Sequence, residues 1–90
     1  MLKVTAKAQF KKDLKKVESN PRKLKELKTV IDFLIETGTV PSEYKPHPLK
    51  GNWKPHMECH VLPDFLLIWD IDKERNELIL TRCGSHSDLF

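Results

Sequence analysis

All four histidines of this ninety-residue chain, His47, His56, His60 and His86, fall in its second half. With them come Asp64, Arg82, both cysteines, both tryptophans and Phe90 at the last position. Imidazole titrates near neutral pH and serves as either general acid or general base. Guanidinium supplies a planar fork that matches phosphate oxygens. An aromatic ring offers a plate on which a nucleobase can stack. These types together suit cleavage of an RNA phosphodiester without a metal. The ribose 2′-OH is then the nucleophile, one side chain takes its proton, another protonates the departing 5′-oxygen, and a cation steadies the phosphorane.

Two other readings compete on spacing alone. His47, Cys59, His60, Cys83 and His86 are all metal-ligand types. None of them has CxxC or HxxxH spacing, and adjacent Cys59 and His60 point to opposite faces of a strand. The second alternative is structural: a lone histidine is commonly a solvated or hydrogen-bonded residue. That reading suits His56, between Pro55 and Met57, and it suits Trp69 as core. It leaves His47, His60, Asp64, Arg82 and His86 at loop mouths and strand ends without an explanation.

These residues need a scaffold, and the pattern predicts one. Leu2 and Val4 flank Lys3, as in a short edge strand. Thr5 is placed to cap a helix over about 6–18, in which Phe10, Leu14 and Val17 share a face. Asn20-Pro21 restarts the chain as N-cap and N1. Leu24, Leu27, Ile31 and Leu34 form the second stripe, and Gly38 ends it. Between Gly38 and Pro55 four prolines suppress regular structure, while Val40, Tyr44, Leu49 and Trp53 are available to anchor an ordered loop. Strands are expected over 57–62, 65–71 and 77–82, the middle one apolar enough to be covered on both faces. Helices that precede strands give an α+β domain: an N-terminal helical hairpin on one face of a small, mainly antiparallel sheet. The other face is free for polar chemistry, and residues 1–90 read as one domain.

The charge is uneven. Residues 1–28 hold ten Lys/Arg against three acids, net +7, and residues 29–90 net −4. A basic half of this kind suits a polyanion or an acidic protein partner; Lys11, Lys12, Lys15 and Lys16 are its densest run. Two cysteines build no disulfide framework and read as free thiols of a reducing compartment. No apolar run spans a bilayer and no leader pattern is visible. The cytoplasm is the expected location, with no membrane partner.

Four segments carry a more specific signal: His-Pro-Leu-Lys-Gly at 47–51 with Trp53-Lys54, Glu58-Cys59-His60-Val61-Leu62-Pro63-Asp64, Arg82-Cys83-Gly84-Ser85-His86, and Leu89-Phe90. In order and spacing the chain resembles the YafQ-type branch of the RelE/ParE superfamily of bacterial type II toxins, ribosome-associated mRNA endonucleases. The resemblance implies that His47, His60 and Asp64 surround the 2′-OH and scissile phosphate, one of them being the base. It implies that Arg82 stabilises the phosphate, His86 is the general acid, and Phe90 positions mRNA. Lys50 and Lys54 join the four lysines of the first helix as expected RNA or ribosome contacts. No cofactor is implied. A small antitoxin is the implied protein partner, with DNA reached only through the antitoxin complex. One departure stands out: the family commonly has an aromatic and an arginine ahead of Glu58, where this chain has His56 and Met57. The alternative of another class is a toxin remnant that binds RNA, ribosome or antitoxin without cutting.

Overall fold

The computed structural model describes residues 1–90 as a five-stranded sheet with two helices on one face. Strand β1 (Lys3–Ala6) leads into α1 (Ala8–Val17) and α2 (Pro21–Thr37). Strands β2 (His47–Pro48), β3 (Met57–Leu62), β4 (Phe65–Asp72) and β5 (Glu77–Gly84) follow, then a single turn of helix, α3 (His86–Leu89). The spatial order is β1-β5-β4-β3-β2. β1 runs parallel to β5, and every other pair is antiparallel. The mainly antiparallel α+β architecture is as expected.

Local chemistry sets the helix ends. The Asn20 side chain accepts from Lys23 N at 3.1 Å, with Pro21 opening α2. Gly38 closes it at φ 77°, its N–H bonded to the Leu34 carbonyl. Thr5 does not cap α1; it lies in β1 and its hydroxyl donates to Glu77 at 2.9 Å. α1 therefore starts at Ala8, later than the pattern suggests, because β1 takes residue 6 into the sheet. The 38–55 loop is ordered around buried Val40 and half-buried Tyr44, Leu49 and Trp53. It also contains two 3₁₀ turns and the two-residue strand β2, which no side-chain alternation announces.

The core has two unequal parts. On the helix side, Phe10, Val17, Leu27, Val30 and Leu34 cover Phe65, Leu67 and Trp69 of β4 and their neighbours. On the outer face Leu66 and Ile68 are covered by Leu89, Leu49 and Trp53. All five residues from Phe65 to Trp69 are buried. Each such apolar side chain stabilises the fold by roughly 1.5–3 kcal/mol.

The outer cover depends on a tight turn. Gly84 sits at φ 155°, and a Cβ there would lie 3.1 Å from both Cβ and Oδ2 of Asp88 in α3. Gly84→Ala is therefore expected to push α3 off the sheet at a cost of about 1–3 kcal/mol. A lower Tm together with faster hydrogen exchange at the Leu89 and Phe90 amides checks this; unchanged exchange would show that α3 does not depend on this turn.

Candidate active site

Pairing register decides which side chains meet. His47 lies opposite Glu58, Glu58 opposite Ile68, and Ile68 opposite Arg82. These four form one row across the outer face. One step along, His60 lies opposite Leu66, and Leu66 opposite Gly84, from which the chain turns into α3 and His86. Cys59, between Glu58 and His60, points into the helix-side core. A β-bulge at Ile68/Trp69 keeps the register working on both faces: Arg82 is held on the outer face while Leu80 still opposes Trp69 in the core.

Three imidazoles form an arc. The rings of His47 and His60 are 6.2 Å apart, and those of His60 and His86 5.7 Å apart, between centroids. His47 Nδ1 is 2.9 Å from the Lys45 carbonyl, which can only accept, so Nδ1 carries the hydrogen. Its Nε2 lies 3.2 Å from Glu58 Oε1. That contact is attractive only when one of the two carries a further proton, so His47 and Glu58 act as a pair. Glu58 is 5% exposed and its Oε2 has no hydrogen-bond partner. A buried carboxylate oxygen without a donor is costly in a fold.

His86 is held differently. Asp64 Oδ1 accepts from the His86 backbone N–H at 3.0 Å and from Nδ1 at 2.7 Å. The backbone bond first, and the imidazole second, hold the Asp64 carboxyl below the usual range. Asp64 thus orients His86 rather than standing with His47 and His60 as an independent group. The ring's Nε2 is left free for substrate. His56 is not part of the arc; its Nδ1 bonds the Trp53 carbonyl at 2.7 Å.

Arg82 pairs with Asp13 of α1: Nε to Oδ2 at 2.9 Å and Nη2 to Oδ1 at 3.0 Å. Phe90 is 60% exposed and meets Trp53 edge-on at 5.7 Å. The apolar anchor of this end is Leu89, as expected, and Phe90 is not core. Lys11, Lys12, Lys15 and Lys16 are exposed on α1, and Lys50 and Lys54 on the loop. A cleft of about 500 Å³, lined in part by Glu26, Glu43, Tyr44 and Lys45, opens beside His60.

Two side chains escaped the sequence reading. Glu58 was visible only as part of a segment; its register partner His47 emerges from a two-residue strand. Asp13 sits in a lysine run, where an acid reads as a solvated ion-pair partner. For Met57 the finding is simpler: it packs on the helix-side core, on the face opposite Glu58 and His60. Cys59 and Cys83 are free thiols, and burial pushes both up to about 12. Both stay protonated at neutral pH. No three His, Cys, Asp or Glu side chains converge closely enough to hold one metal ion.

Comparison with known proteins finds the chain's relatives. A family model described as bacterial toxin of type II toxin-antitoxin system, YafQ, matches residues 2–90. The mRNA interferase toxin YafQ of Escherichia coli K12 is 36% identical over 83 residues, covering 91% of this chain and 88% of its own. A metal-bound toxin from Helicobacter pylori superposes with TM-score 0.89 at 44% identity over the whole of both chains. The E. coli DinJ-YafQ complex contains a chain matching at TM-score 0.87 and 32% identity, covering 100% of this chain and 99% of that one.

The Asp64–His86 contact has a direct test. The Asp64 carboxyl, followed by ¹³C NMR, should titrate below 3.8. A depressed carboxylate stabilises the fold above its unfolded value, and that contribution is lost as pH falls through the folded one. In His86→Ala the backbone N–H remains, so the midpoint should rise only part of the way. A return to 3.8 or above would mean that the imidazole alone holds Asp64.

Proposed function

The chain belongs to the YafQ family of bacterial type II toxin–antitoxin toxins, and we propose that it cuts ribosome-bound mRNA by general acid–base catalysis with the ribose 2′-OH as nucleophile. It is an mRNA interferase by kinship, and its protein partner is an antitoxin, as in the E. coli DinJ-YafQ toxin-antitoxin complex. No helix is long and apolar enough to cross a membrane.

The observation that carries the mechanism is the imidazole arc on the outer face, with a cation at the end of the adjacent row. His86 is the general acid. Asp64 holds its Nδ1–H, which leaves Nε2 turned to the leaving 5′-oxygen as the atom that delivers the proton. His60 is the base. The other three histidines each have a ring nitrogen bonded within the protein, whereas His60 stands between His47 and His86 with its nitrogens uncommitted. His47, held by the Lys45 carbonyl and Glu58, positions the 2′-OH. Arg82 neutralises the charge that builds on the non-bridging oxygens. Phe90, braced by Trp53, forms the wall against which a base stacks. The exposed lysines of α1 and of the loop supply screened, long-range attraction to ribosomal RNA or to an acidic antitoxin segment.

The competing reading, a remnant that binds but does not cut, draws on the missing arginine at position 57. Met57 faces the other side of the sheet, so its substitution leaves the imidazole arc whole. One similar toxin, from H. pylori, is metal-bound, but the chemistry proposed for this chain needs ring nitrogens free to move protons. Cleavage should therefore persist after transition metals are chelated, with magnesium retained for the ribosome.

His60→Ala and His86→Ala should each lower ribosome-dependent cleavage by roughly 10²–10⁴, the usual share of one acid–base group. Both side chains lie outside the core, so Tm should hold. Deleting Phe90 should cost roughly tenfold to hundredfold, given about 1–3 kcal/mol for a stacked base, again without loss of Tm. Growth arrest by His86→Ala at wild-type expression would overturn the assignment of the acid; binding that survives while cutting is lost would exclude the remnant.

A further inference from the structure

Asp13 is the one acid in the run Lys11-Lys12-Asp13-Leu14-Lys15-Lys16. A helix-surface aspartate there would pair with the surrounding lysines. Instead Asp13 is 3% exposed and bonds to none of them. It accepts from Arg82 twice, from Cys83 N at 3.2 Å and from Gln9 Nε2 at 3.1 Å. β1 ends at Ala6, opposite Leu80, so the edge of β5 beyond that point is uncovered. Asp13 reaches this edge from α1 and takes the Cys83 N–H that a longer β1 would have taken.

The stereochemistry of the Arg82 pair is specific. Both hydrogen bonds leave from the Nε/Nη2 side of the guanidinium. Three of the five N–H donors are thereby left unused, and two of them, one on Nη1 and one on Nη2, form the end-on edge, in a plane fixed by Asp13. That remaining edge is the one that can meet two oxygens of a phosphodiester at once. Arg82 comes from the same row as His47 and Glu58, and its side chain is 22% exposed.

We infer that Asp13 is the positioning residue for Arg82: a buried carboxylate on α1 that holds the guanidinium side-on so that its Nη edge faces the scissile phosphate. The inference rests on the role given to Arg82 above. It assigns to α1 a part in the reaction itself, beyond carrying basic charge. A guanidinium free to rotate would have to be ordered on each encounter, and misplacement on the order of 1 Å costs about hundredfold in rate.

The test is a double-mutant cycle on ribosome-programmed mRNA, with Asp13→Asn, Arg82→Ala and both together, assayed well below each protein's Tm. Asn offers one acceptor oxygen and turns an N–H₂ toward donors, so the side-on pair is lost at nearly constant volume. Asp13→Asn should lower kcat/KM by about hundredfold, and it should cost nothing further in the Arg82→Ala background. Millimolar guanidinium should restore part of the cleavage of Arg82→Ala, because the vacated carboxylate binds and orients it, and should not rescue the double variant. Wild-type cleavage by Asp13→Asn beside an inactive Arg82→Ala, or additive losses, would reduce Asp13 to an anchor between α1 and β5 and overturn the inference alone. Full cleavage by Arg82→Ala would overturn the role of Arg82 and this inference with it. Should Asp13→Asn not fold, NMR of the unaltered protein decides: the Arg82 Nε–Hε signal should exchange slowly and stay put as inorganic phosphate is added, unlike that of exposed Arg75. Exchange as fast as that of Arg75 would contradict the side-on pair.

Discussion

The structure depends on one strand being buried on both faces. β4 needs a helix layer on one side and something apolar on the other. α1 and α2 supply the first. The second is too small a surface for another layer, since only Leu66 and Ile68 demand cover. Leu89 from the chain end and Leu49 and Trp53 from the loop meet that demand. Those two segments also carry His86, Phe90 and His47. The apolar floor therefore gathers the groups proposed to react by burying their neighbours, and the register of β3 and β5 against β4 places Glu58, His60 and Arg82 around the same floor. Hydrophobic burial assembles the site; the polar contacts then aim it.

Aiming is done by acids. Each group given a reactive or phosphate-binding role, other than His60, touches a carboxylate: Glu58 for His47, Asp64 for His86, Asp13 for Arg82. The three carboxylates differ in environment. Asp64 is exposed and held low by hydrogen bonds from His86. Asp13 is buried, and burial pushes its carboxyl up, but the bonds from Arg82, Gln9 and Cys83 N outweigh burial and hold it below the usual range. Glu58 is buried with one oxygen unpartnered. Asp64 and Asp13 are held by donors within the protein, whereas Glu58 Oε2 has none.

Much of this was legible in the sequence. The helix stripes, the Asn20-Pro21 start, the Gly38 stop and the continuous apolar run of β4 are local patterns with local causes, and each formed where expected. The histidine set, Arg82 and the Leu89 anchor were also readable. What was not readable depends on register. Which side chain opposes which across strands is fixed by pairing between residues far apart in sequence, so Glu58 beside His47 and Asp64 on His86 could not be told from spacing. β2 is too short to show alternation. Asp13 is hidden for a different reason: its surroundings in sequence are mostly lysines, while its partners on β5 lie 69 and 70 residues further on.

The central claim is that the outer face moves protons to and from a ribose and a leaving oxygen. The chemistry of the cut ends tests it most directly. Attack by the 2′-OH leaves a 2′,3′-cyclic phosphate, or the 3′-phosphate from its opening, on the upstream fragment and a 5′-OH on the downstream one. A single 2′-deoxy nucleotide at the cleavage position should then block the cut altogether. Mass spectrometry of fragments from defined ribosome-bound mRNA, with and without that substitution, should show those ends and that block. A 5′-phosphate paired with a 3′-OH, or cutting that persists through the 2′-deoxy position, would mean that water is the nucleophile and would contradict the account.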